Sequence, residues 1–315
     1  MSIAQYIKVI GRGSRGARAL DRAQAADMLG RILDGTVSDL EIGAFCVAMR
    51  IKGESAEEVA GFLEAIRGRS RLVPDGGTPP VVLPSYNGAR RLPVLTPLLA
   101  LLLARRGLPV LAHGTATEDA RVGAREVFRL LGVRPSEAVG PVAAGSVVWL
   151  DTQSLDPGLK RLLDVRRAIG LRNPAHSLVK LMNPCAGRAL VVGSHTHPEY
   201  AVSMAEAFAL TGADAMLLRG SEGEPVADPR RKPVMTGFIG GVRHALEVEA
   251  SIATVEPSAL PALEAGATAA WIRAVLAGAH AIPAPIALQV EHLVALHRSM
   301  TAAPAPHSPP TGAHR

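Results

Sequence analysis

Residues 79–114 read PPVVLPSYNGARRLPVLTPLLALLLARRGLPVLAHG. A β-branched run at 81–83 ends in a polar turn, Ser85-Tyr86-Asn87-Gly88. A helical pattern follows over 94–106 and closes on two arginines and Gly107, a basic last turn with a glycine stop. A second short β-rich run then occupies 109–112. Strand, loop, helix and strand in that order make a βαβ unit, the building block of a parallel sheet. The same rhythm continues downstream. β-Rich runs at 147–150, 190–192 and 215–218 alternate with helical patterns at 118–131, 159–169 and 199–210. The predicted fold class is α/β, with a mostly parallel central sheet.

Upstream the rhythm is different, and the first seventy residues read as helices. Ser38-x-x-Glu41 and Ser55-x-x-Glu58 are capping-box patterns, in which a hydroxyl and a carboxylate satisfy free N–H groups at a helix start. Ile42, Phe45, Cys46 and Met49, then Val59, Phe62, Leu63 and Ile66, follow them at helical spacing. Residues 21–33 carry Met28, Leu29, Ile32 and Leu33 on one side. The predicted organisation is a helical domain over 1–70, which later segments can help complete, and an α/β domain over 71–301. Residues 258–300 are again helical in pattern. The Pro-rich end, 302–315, lacks core residues and is expected to be a disordered tail.

Of the 315 residues 48% are apolar, enough for a sizeable core, and only 3% are aromatic. Extensive stacking on nucleic-acid bases is therefore not expected. The 34 basic residues exceed the 28 acidic ones, and only five of them are Lys, so the cations are mostly guanidinium forks. Forks favour bidentate contact with phosphate or carboxylate, and the balance suggests an anionic partner. Cys46 and Cys185 are too few for a disulfide framework or a four-thiolate zinc site. The residues MSIAQYIKVIGRGSRG have no apolar h-region, so no secretory signal is expected. The most apolar run, 94–104, is about half the roughly 20 residues that a membrane span needs. A cytoplasmic protein with no membrane partner is expected.

Three motifs compete for a function. Gly11-Arg12-Gly13-Ser14-Arg15-Gly16 spells the dinucleotide fingerprint G-x-G-x-x-G. That chemistry needs a buried strand before the loop and a βαβ frame around it. The segment YIKVI before it is a poor strand and helices follow, so a flexible basic loop is favoured, with Arg12 and Arg15 as phosphate contacts. His195-x-His197 could place two imidazoles on one face for a metal, yet no third ligand at diagnostic spacing follows; no metal site is expected. Arginine clusters remain. Most fall on helices and read as solvated faces, but Arg90-Arg91 and Arg230-Arg231-Lys232 lie in Gly/Pro-rich segments between elements. Loops at the ends of a parallel sheet are where such folds bind ligands.

With this organisation in hand, the chain resembles anthranilate phosphoribosyltransferase over about residues 5–300. Val165-Arg166-Arg167-Ala168-Ile169-Gly170-Leu171-Arg172 is similar to that family's V-R-R-x-L-G-x-R, and Asn183-Pro184 stands where the family has T-N-P. Residues 107–114, GLPVLAHG, are similar to its G-L-x-V-x-K-H-G strand. The resemblance implies a nucleoside phosphorylase/phosphoribosyltransferase-like fold and a homodimer joined through the helical domain. It also places Arg166 where the family contacts anthranilate, and Asn87, His113 and Arg166 around an anion-binding cleft.

The departures point away from transfer chemistry. The family's phosphate loop G-T-G-G-D is here Ser85-Tyr86-Asn87-Gly88-Ala89, its N-x-S-T is Val94-Leu95-Thr96-Pro97, and the Lys before His-Gly is Ala112. The H-P-x-M-K run is Asp156-Pro157-Gly158-Leu159-Lys160, and the metal-holding acidic pair has no clear equivalent in Ser221-Glu222-Gly223-Glu224. The segments PSYNGARR, IKGE (51–54) and HPEY (197–200) resemble the YbiB-type branch of this fold. That likeness implies a nucleic-acid-binding protein without sequence preference, with no transferase reaction and no cofactor. The expected contacts are Arg90, Arg91, Arg230, Arg231 and Lys232, assisted by Arg12 and Arg15. The alternative is a phosphoribosyltransferase with another acceptor, using Mg and phosphoribosyl pyrophosphate; a module for a small anionic metabolite is a third reading.

Overall fold

The computed structural model of the chain describes residues 2–247 and 251–302. Five helices come first: α1 (Ala4–Ile10), α2 (Gly13–Gly16), α3 (Arg22–Leu33), α4 (Asp39–Lys52) and α5 (Ala56–Arg67). Both expected capping boxes are formed, and Asp21 with Gln24 makes a third at the start of α3. One carboxylate ties three of these helices together. Glu58, fully buried, accepts from the Leu20 amide (3.0 Å) before α3, from the Ser55 amide (2.9 Å) and from Lys52 Nζ (2.6 Å) at the end of α4. The segment YIKVI is helical, because Ile3, Ile7 and Ile10 repeat at three- and four-residue spacing and Ile3 and Ile10 are buried. The G-x-G-x-x-G run therefore follows a helix and forms one short helix itself, which removes the strand that a dinucleotide site requires.

The remainder builds one seven-stranded sheet in the order β3-β2-β1-β4-β5-β6-β7. Its elements are β1 (Val81–Ser85), α6 (Thr96–Arg105), β2 (Val110–Gly114), α7 (Ala124–Leu130) and β3 (Val147–Asp151). Next come α8 (Thr152–Leu155), α9 (Pro157–Ile169), α10 (Ala175–Leu178), β4 (Leu190–His195), α11 (Pro198–Leu210) and β5 (Asp214–Arg219). The chain closes with β6 (Met235–Ile239), β7 (Val242–Ala245), α12 (Ala265–Leu276) and α13 (Ala284–Ala302). The five expected strands are all present and pair in parallel. The antiparallel pair β6–β7 is an addition. Its turn is Gly240-Gly241, both at positive φ (56° and 80°), the two-residue hairpin geometry that glycine makes accessible. All four β7 residues are exposed, so no apolar alternation announced it.

Alternate residues of β1 serve two cores. Val82 packs with the N-terminal helices, α9 and α11, whereas Val81 and Leu83 pack with α6, α12 and α13. The helical region thus shares a core with one face of the sheet. Ala302, which the sequence reading assigned to the tail, ends α13; the rest of the Pro-rich stretch lies outside the described residues. No helix among the described residues is long and apolar enough to cross a membrane.

Candidate functional site

The strand order reverses between β1 and β4, and at the carboxyl ends of those strands lies a cleft of about 540 Å³. Such a reversal leaves the two flanking loops diverging, which opens a crevice in doubly wound sheets. Asn87 enters from the loop after β1, Ser194 and His195 from β4, and Glu222 from the loop after β5. The end of α4 closes the other side with Arg50, Gly53 and Glu54. Five cations line the cleft (Arg50, Arg90, Arg121, Arg172 and Lys180) against three carboxylates, Glu54, Glu118 and Glu222.

The loop after β1 already holds an anion, and it is the protein's own. The buried Glu224 carboxylate accepts from the amides of Asn87 (2.7 Å) and Gly88 (2.9 Å), from Thr96 Oγ1 (2.9 Å) and from Ser85 Oγ. Asn87 also donates Nδ2 to the Glu222 carbonyl at 2.7 Å. Below the loop, Lys180 is buried and donates to the Gly223 carbonyl (2.7 Å). Burial brings its ammonium down to about 8, against the opposing pull of Glu224.

Two of the three expected anion contacts are placed otherwise than the sequence reading put them. His113 is fully buried, its Nδ1 meets Tyr86 Oη at 2.8 Å, and Tyr86 Oη meets Thr152 Oγ1 at 2.9 Å. Burial lowers its imidazole to about 3, so it is a neutral core residue rather than a cleft cation. Arg166 pairs with Glu118 and donates to the Thr117 carbonyl (3.2 Å), outside the cleft lining. Only Asn87 of the three lines the cleft.

The expected phosphate contacts divide. Arg90 lines the cleft and Arg91 is exposed beside it in sequence; among the described residues neither side chain has a hydrogen bond or ion pair. Arg230 and Arg231 share one carboxylate, Asp228, at 3.0 and 2.8 Å, and are partly neutralised, while Lys232 is exposed and has no ion pair among the described residues. The hydrogen bond to Asp228, with a further contribution from the carboxylate of the cleft residue Glu222, raises the Arg230 pKa. Arg12 and Arg15 are exposed on the α1–α2 segment, away from the cleft lining. Many other arginines are internal staples: Arg67 to the Cys185 and Ala186 carbonyls, Arg69 to Asp34, Arg161 to the Ile32 carbonyl, Arg188 to Asp214. Sequence reasoning did not single out Arg50, Arg121, His176 and Lys180 as cleft residues. A spacing of four (Arg172, His176, Lys180) is the signal that could have found the last two.

The fold is that of anthranilate phosphoribosyltransferase, a small helical domain followed by an α/β domain with a mostly parallel sheet. The helical bundle domain of the glycosyl transferase family matches residues 4–70. Anthranilate phosphoribosyltransferase of Thermus thermophilus superposes with a TM-score of 0.72 at 23% identity, over 95% of this chain and 94% of that one. The enzyme of the same name from Methylobacterium radiotolerans is 32% identical over 174 residues, 54% of this chain and 50% of its own. YbiB of Escherichia coli K12 is 39% identical over 299 residues, covering 92% of both chains. The chain therefore belongs to the YbiB family.

Proposed function

We propose that the chain binds nucleic acid through its phosphates along the mouth of this cleft, without reading sequence. The observation that carries the proposal is the contrast among the arginines. Arg50, Arg90, Arg91 and Arg172 have no hydrogen bond or ion pair among the described residues, while most others are stapled to carboxylates or carbonyls. A guanidinium kept free on a loop or cleft wall is available to a phosphate, and phosphate contact needs no base-reading helix. Glu224 supports the same reading from the opposite side. The amides that would approach a diphosphate already bond its carboxylate, and with four donors on two oxygens that carboxylate is poorly placed to hold a cation as well. The residues present thus do not fit phosphoribosyl pyrophosphate with Mg, and no cofactor is invoked. We also infer that two copies join through the helical domain, which would lengthen the basic track.

The test is fluorescence anisotropy with unrelated single- and double-stranded oligonucleotides at two salt concentrations. With about six phosphates neutralised, affinity falls roughly a thousandfold between 50 and 200 mM salt and differs little among sequences. Replacing Arg90 and Arg91 with Ala weakens binding uniformly and flattens the salt slope by about one or two units. Unchanged affinity and slope in that double variant would remove the cleft mouth as the binding surface.

A further inference from the structure

We infer that the inner wall of the cleft is a site for a phosphomonoester, a terminal phosphate rather than an internal one, held by Arg172, His176, Lys180 and His195. This rests on the cleft as the phosphate-binding surface proposed above and names the group that its deepest part selects.

Arg172 is mostly out of solvent, and among the described residues it has neither a hydrogen bond nor an ion pair. Burial and the neighbouring Arg166 and Arg121 lower its pKa. The nearby carboxylate of Glu118 offsets this in part, but it pairs with Arg121 and Arg166 and forms no ion pair with Arg172. A cation held against like charges without a partner is an anion site waiting for its counter-charge.

His176 supplies the second observation. It is only 6% exposed and lines the same cleft, and its Nε2 is buried with no partner. Its Nδ1 is engaged at Asn173, 3.2 and 3.3 Å from the backbone and side-chain oxygens and 3.4 Å from the amide, so Nε2 is the nitrogen left for a ligand. Nδ1 of His195, which lines the same cleft, is likewise buried with no hydrogen-bond partner among the described residues. Buried polar atoms without partners are rare, and two on one cleft point to a ligand that completes them.

The unpaired groups discriminate between kinds of phosphate. A monoester has a second ionisation near pH ~6, so it can share a proton with an imidazole nitrogen in either direction. An internal phosphodiester has no such proton to donate. It also carries a strand on both sides, whereas the buried His176 and Lys180 are reached by a phosphate with a single substituent. Glu54, across the cleft at the end of α4, has its carboxyl pushed up by burial, which eases its repulsion of an incoming anion.

The experiment compares one single-stranded oligonucleotide with a 5′-phosphate and with a 5′-hydroxyl, by anisotropy, and titrates adenosine monophosphate and inorganic phosphate by calorimetry. The 5′-phosphate form is expected to bind at least tenfold tighter, and Arg172→Gln to abolish the difference. Because the guanidinium has no partner to orphan, that variant is expected to melt no lower than the wild type. If it does not fold, His176→Asn carries the same test. Equal binding of the two oligonucleotides would overturn the inference while leaving the nucleic-acid reading intact. Binding of adenosine monophosphate with neither oligonucleotide bound would support the site and overturn the nucleic-acid reading. Silence from all four ligands would overturn both.

Discussion

His113 and His176 show what burial does to a titratable residue in this chain. Both imidazoles lie far below their ordinary value, at about 3 and about 4, because desolvation penalises the charged form. Below the unfolded value of about 6.5 the unfolded chain therefore binds more protons than the folded one. Stability is complete above that pH and falls as pH drops toward the folded values. Urea unfolding at pH 7 and pH 5 should show a loss of roughly 2 kcal/mol per histidine, and His113→Gln should flatten the slope by about one proton. Glu224 is a second residue-scale case. Its carboxylate satisfies two hydroxyls and two amides, all in buried surroundings. Orphaned buried donors cost about 1–3 kcal/mol each, so Glu224→Ala should lose about 3 kcal/mol or more in a chemical-denaturation experiment.

At the scale of elements, the N-terminal helices start where their caps say. Ser38 Oγ accepts from the Glu41 amide at 3.3 Å, and Glu41 returns a bond to the Ser38 amide at 3.0 Å. Ser38→Ala should cost about 1 kcal/mol, read as a lower urea midpoint. These caps were legible because a capping box is a local code of two residues three apart. The parallel strands were legible for a related reason: β1, β2, β4 and β5 are buried on both faces and so are short, largely apolar runs, while the edge strand β3 is half-buried yet still apolar over 147–150. The β6–β7 hairpin was not, since β7 is Val-Arg-His-Ala, exposed throughout, and only Gly240-Gly241 marks its turn. Gly114, at the end of β2, shows a closeness that no local pattern displays. A Cβ there would lie 1.9 Å from the Ser85 carbonyl of the neighbouring strand.

At the scale of the molecule, α4 presents an apolar stripe that nothing among the described residues covers. Leu40 (84% exposed), Val47 (40%) and Ile51 (67%) fall on one face with Ala44 between them. A second copy of the helical domain is the proposed cover, consistent with the preference of soluble proteins for closed two-fold pairs. Light scattering at micromolar concentration should give twice the mass of the chain. Leu40→Asp with Ile51→Asp should halve that mass without loss of helix content, because both positions are solvent-facing in the single chain.

Helical start, βα alternation, the placement of the five parallel strands and the altered phosphate loop were all written in the sequence, because each is a matter of neighbours: periodicity, caps, glycines and loop composition within a few residues. The site was only partly so. Arg90 and Asn87 lie on the loop that the reading had already marked. The pairing that decides which arginine is free belongs to tertiary structure. Arg166 meets Glu118 across 48 residues, Arg67 meets the Cys185 carbonyl across 118, and Glu224 reaches Asn87 across 137. A charge counted along the chain has the same sign wherever it stands. Whether it is neutralised, buried or left open to a ligand depends on what folding brings within hydrogen-bond distance, and that separation of free cations from stapled ones appears only in three dimensions.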